Sequence, residues 1–132
     1  MTKSDEYNHL LKRSMEFYES ASILFNRGFY GLTAFCLEQA LQLFLKAQFL
    51  KLGVDYPRTH SLRRLLDLLI KIVEEKAGKI KEILDKYSLE LASLEDAYIT
   101  SRYIPREFRR EEVLRLRNLV EEVMGVVRQV VD

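Results

Sequence analysis

The sequence predicts an all-α fold, a five-helix antiparallel up-and-down bundle. Apolar residues recur at helical spacing through five segments, and no segment keeps the alternation of a strand. Both prolines, Pro57 and Pro105, fall between segments.

In the first segment Tyr7, Leu10, Leu11, Phe17, Tyr18, Ala21, Leu24 and Phe25 form one face after a Ser4-Asp5-Glu6 start that suits a helix N-terminus. Gly28 after Arg27 suits its end, because glycine tolerates the left-handed backbone that closes many helices. The second helix runs from about Phe29 to Leu52 and stops at Gly53. Apolar residues cover nearly its whole circumference, so it is central or lies in an interface.

GVDYPRTH is a loop, since Pro57 disfavours helix at Tyr56, and Thr59 or Ser61 is placed to cap the next helix. Leu62, Leu65, Leu66, Leu69, Ile70 and Val73 mark this third helix, which EEKAGK breaks near Gly78. Ile80, Ile83, Leu84, Tyr87, Leu91, Leu94 and Tyr98 mark a fourth. TSRYIPREF is the next loop, and from about Arg109 the last helix turns Val113, Leu116, Val120, Val123, Val127 and Val130 inward. Short connections make neighbouring helices antiparallel.

Composition bounds the function. The 132 residues fit a single domain over 1–132, and 48% hydrophobic with 31% charged residues is a globular balance. Twenty-one basic and 20 acidic residues leave a net charge of +1, so any electrostatic site is local. Cys36 alone permits no internal disulfide, and with His9 and His60 it makes too small a set for a zinc centre. MTKSDEY lacks the apolar segment of a signal peptide, and no run reaches the roughly 18 apolar residues of a membrane span. A soluble cytoplasmic protein, away from membranes, is the expectation.

Within the long second helix Glu38, Gln42 and Lys46 step about 40° apart and form a slowly turning stripe, with Gln39 at its edge. One reading makes this the wet side of the helix, with Glu38 and Gln42 bonded across one turn and Lys46 reaching outward. The other makes it the lining of a groove or subunit interface, because Phe35 and Phe49 share the sector.

Two local basic concentrations stand at helix starts: Arg58, His60, Arg63 and Arg64, and later Arg102, Arg106, Arg109 and Arg110. Both suit anions. Tyr98, Tyr103 and Phe108 accompany the second, as stacking on a base requires, although pairing with Glu107, Glu111 and Glu112 or simple core packing would also account for them. Glu6 and His9 have the spacing of half a di-iron site but lack a second copy. Glu90, Glu95 and Asp96 suit the wet face of the fourth helix, Cys36 suits the core, and there is no glycine-rich phosphate loop. No metal and no cofactor are expected.

The run FYGLTAFCLEQALQLFLKAQFLKLG, a short loop, HSLRRLLDLL and then YITSRYIP resembles the HEPN family of small helical domains. The likeness extends from the first helix to the end of the SRYIP loop. It implies a helical bundle that pairs as a homodimer, binds nucleotide or RNA, and works beside a minimal nucleotidyltransferase as a toxin and antitoxin pair. Catalytic members carry Arg, four to six residues, then His at the start of the last helix. After Arg102 the corresponding positions are Glu107, Phe108 and Arg109, and after Arg106 they are Glu111, Glu112 and Val113, so no catalytic residue is assigned.

With the resemblance, Arg102 is expected to hold phosphate, Tyr103 or Tyr98 to stack or shape the pocket, His60 with Arg63 to flank it, and Lys46 to reach the same groove. The alternatives are a metal-independent ribonuclease using Arg102 and His60, and a structural dimerisation module.

Overall fold

A reciprocal cap at Thr2 starts the first helix, α1 (Lys3–Asn26), two residues ahead of the expected start. Thr2 Oγ1 accepts from the Asp5 backbone N–H while the Asp5 carboxylate accepts from that of Thr2, which satisfies two donors that a helix start leaves unpaired. The coordinates are a computed structural model. It describes residues 2–103 and 106–132, with the side chains of 100–102 excepted.

Gly28, at φ 77°, reverses the chain into α2 (Tyr30–Lys51), and Gly53, at φ 83°, closes that helix. Fourteen of the 22 residues of α2 are buried, and α1, α3, α5 and α6 all pack on it. Ser14 Oγ donates to the Ala40 carbonyl at 2.6 Å, tying α1 to α2 inside the core. Ser61 caps α3 (Leu62–Val73), accepting from the Arg64 N–H at 3.2 Å. A 3-10 turn, Glu74–Ala77, then leads into α4 (Gly78–Lys86), so the break after α3 begins at Glu74 rather than at Gly78.

The fourth helix of the sequence reading consists of two, α4 and α5 (Ser88–Tyr103), which meet at Tyr87. Tyr87 adopts φ −111° and ψ 22°, enough to stop the helical ladder without a glycine or proline. The loop expected over TSRYIPREF begins later than the sequence suggests, because α5 continues through Thr100, Ser101 and Arg102 to Tyr103. Ile104 and Pro105 lie outside the described residues, and α6 (Arg110–Val131) completes the bundle. The architecture is all-helical, with no strand among the described residues.

Leu37, Leu41 and Leu45 of α2 meet Leu62, Leu65 and Leu69 of α3, Leu91 and Leu94 of α5, and Leu116, Val120 and Val123 of α6 in one apolar cluster. Each such side chain contributes roughly 1.5–3 kcal/mol when fully buried. Cys36 is part of this core, as its apolar surroundings in sequence predict. No helix among the described residues is long and apolar enough to cross a membrane.

Candidate ligand site at the end of a buried polar relay

One helical turn separates each of Glu38, Gln42 and Lys46 along α2, and the stripe does not face water. Glu38 is 0% exposed and Gln42 4%, which overturns the reading of a solvated face. The chain between α2 and α3 folds back over the stripe, and α5 packs beside it.

Inside, Glu38 Oε1 accepts from Gln39 Nε2 at 2.7 Å and Oε2 accepts from Gln42 Nε2 at 2.8 Å. Gln42 Oε1 in turn accepts from Lys46 Nζ at 3.0 Å and lies 3.4 Å from His60 Nδ1. The hydrogen bonds run one way, from an ammonium through an amide to a carboxylate, and satisfy a polar row that would otherwise be costly to bury.

Electrostatics pull Glu38 in two directions. Burial pushes its carboxyl up to about 7, opposed by the donors Gln39 and Gln42 and by the Lys46 charge, while Glu95 adds a smaller upward push. The donor arrangement fits the carboxylate and the burial favours the acid, so the group is poised near neutrality. Burial pushes the Lys46 amine down, Glu38 resists this, and Arg58 reinforces it. Lys46 also lies over the Tyr56 ring, 5.6 Å from its centre.

At the outer end the exposed His60 ring stacks on Tyr98 of α5, with centroids 4.5 Å apart and planes 20° from parallel. Tyr98 in turn stacks against Phe35 of α2 at 6.4 Å. The site therefore presents an aromatic ladder ending in an accessible imidazole, beside a cation whose back is held by the relay.

The structure brings three of the expected site residues together: Lys46, His60 and Tyr98. Arg63 is committed elsewhere. Its backbone N–H donates to Glu95 Oε1 at 2.9 Å, and its guanidinium donates to Oε1 at 3.3 Å and Oε2 at 3.1 Å. Glu95 thus caps α3 instead of lying on a wet face of α5, whereas Asp96 is exposed. Tyr103 is 75% exposed near the end of α5. Arg102 falls in the last turn of α5, and its side chain lies outside the described residues.

The second basic concentration is partly consumed. Arg106 pairs with Glu112 at 2.6 Å and lies over Phe108, and Arg110 lies over Phe25.

Residues 7–130 match the family model of the HEPN domain. The chain belongs to the HEPN family. The HEPN fold is similar to that of TT1696 from Thermus thermophilus, whose crystal structure superposes with a TM-score of 0.73 over 94% of this chain and 97% of that one, at 21% identity. No curated protein sequence matches this HEPN chain. The signal for Glu38 and Gln42 in the sequence was a polar residue on every turn of an otherwise apolar helix. Tyr56 and Glu95 carried no such mark.

Proposed function

We propose that this HEPN chain binds a nucleotide, or RNA through its phosphates, at the face formed by Lys46, His60 and Tyr98. One observation carries the reading: the exposed His60 ring, stacked 4.5 Å from Tyr98, ends an aromatic ladder beside Lys46. A base stacks on an aromatic face and a phosphate pairs with a nearby ammonium, so the two halves of a nucleotide find their complements here. Arg58, exposed and close enough to depress Lys46, adds positive charge at the same place.

The protein works in the cytoplasm as a homodimer beside a minimal nucleotidyltransferase, as a binding partner in a toxin and antitoxin pair. Supporting the dimer, one face of α5 exposes Leu89 (84%), Ile99 (55%) and Tyr103 (75%), apolar surface that a second copy would cover. Light scattering on wild type and on Leu89→Glu tests this, with dimer expected for the first and monomer for the second.

A thermal melt with mononucleotides, dinucleotides and short RNA tests the binding. Ligand at about 100 times its dissociation constant stabilises the native state by roughly 2.7 kcal/mol, which raises the midpoint by several degrees. A midpoint that no nucleotide moves would overturn the reading.

A further inference from the structure

The buried half of the relay is all but sealed from solvent, yet its wiring dictates what the outer half presents. With its NH2 group on Glu38 Oε2, the Gln42 amide must turn its carbonyl to Lys46 and His60. In that orientation Gln42 offers an acceptor at the site, which holds the ammonium inward and offers nothing to an anion. The reverse orientation puts an N–H donor at the site and a carbonyl toward Glu38. That arrangement is satisfied only when Glu38 carries a proton to donate.

The charged and titratable groups around Glu38 come from three places. Lys46 is on its own helix, Arg58 and His60 lie on the chain between α2 and α3, and Glu95 and Tyr98 are on α5, Glu95 being neutralised by Arg63 of α3. Glu38 and Lys46 are the two charges that the relay joins.

Resting on the reading that this face binds an anion, we propose that the anion enters in exchange for the Glu38 charge. As a ligand oxygen takes the Lys46 ammonium, one solvent proton bonds to a Glu38 oxygen and the Gln42 amide turns over. Its N–H then donates to the ligand and its carbonyl accepts from the Glu38 hydroxyl. The Lys46 and His60 contacts to the Gln42 carbonyl are given up, no other covalent bond forms or breaks, and for a singly charged phosphodiester the buried charge is conserved. Glu38 and Gln42 are positioning residues that act through Lys46, and the site favours anions over neutral nucleosides.

Isothermal titration calorimetry with the RNA dinucleotide ApA and with sodium sulfate tests this, at pH 8 in two buffers of different ionisation heat. Neither probe changes charge between pH 6 and 8, so any proton taken up goes to the protein. Wild type is expected to take up about one proton per anion, and its affinity to fall up to about tenfold per pH unit above 7. Glu38→Gln mimics the protonated acid, so it is expected to bind ApA without uptake, independently of pH, and more tightly than wild type at pH 8.

ApA binding without uptake in wild type overturns the exchange and leaves the nucleotide reading intact. Sulfate binding with uptake but no ApA binding does the reverse, and no binding of either overturns both. Uptake that survives Glu38→Gln and disappears in His60→Asn assigns the proton to the imidazole and also overturns the exchange. Should Glu38→Gln fail to fold, uptake in wild type that persists in His60→Asn supports it.

Discussion

Arg63 closes on Glu95 with both its backbone and its side chain, so a single carboxylate of α5 caps the N-terminus of α3 and pairs with a guanidinium there. Ser61 Oγ donates to the same oxygen at 3.0 Å. The carboxylate meets the unpaired N–H groups and partial positive charge of a helix start, and its side chain is only 15% exposed. Because Arg63 is itself 44% exposed, solvent screens part of the ion pair. Glu95→Ala is expected to lower stability by about 2 kcal/mol in urea denaturation. It also loosens the start of α3 beside His60, so nucleotide affinity should fall with it.

Glu38 gives stability a distinctive dependence on pH. Its folded value, near 7, lies above the ordinary 4.5, so between those limits the folded state holds a proton that the unfolded chain has released. Stability therefore falls as pH rises from about 4.5 to 7 and levels off above, by up to about 3 kcal/mol from this group. Glu38→Gln should remove that slope. Urea midpoints from pH 5 to 8 on both proteins check it.

Loss of one outer group should weaken binding by an amount set by that group's chemistry. Lys46→Met keeps the aliphatic stem and removes one charge-assisted bond, for a loss of roughly tenfold to thirtyfold in ApA affinity. His60→Ala removes a stacking face, at about 1–3 kcal/mol. Arg102→Ala, which tests the phosphate contact expected from the SRYIP motif, belongs in the same titration series. A full set with unchanged affinity would place the ligand elsewhere.

Glu74 carries φ 51° with ψ −105°, a backbone conformation that a side chain disfavours and glycine accepts. Glu74→Gly is expected to stabilise the protein by about 1 kcal/mol, visible as a raised melting midpoint. Ligand affinity should not change, because the turn lies at the far end of α3 from His60.

Periodicity made most of the bundle legible. Leucines at three- and four-residue intervals leave little choice for α3, and the valines of α6 do the same. The junction at Tyr87 was not legible, because the apolar rhythm from Ile80 to Tyr98 continues across it and neither Tyr87 nor Ser88 forbids helix. The burial of Glu38 was hidden for a different reason. A polar residue on every turn looks the same whether it meets water or a folded-back loop, and only the placement of His60 and Tyr98 decides between them. The capping role of Glu95 was hidden by distance, because its partners, Ser61 and Arg63, lie more than 30 residues away.

The reversal at Gly28 makes α1 and α2 a hairpin of sequence neighbours, stitched by Ser14 and Ala40 and packed along their length. The candidate site instead gathers parts of α2, the chain around Tyr56 to His60, and α5. Contacts between distant parts of the chain carry the larger loop-closure cost, so the hairpin is expected to form ahead of the clasp's contact with α5. What assembles last also opens first. Amide hydrogens in the middle of α2 should outlast those between Gly53 and His60 by orders of magnitude in exchange with heavy water. The time a bound ligand stays in place should then follow how often that short span lifts, since His60, the outer rung of the aromatic ladder, leaves with it.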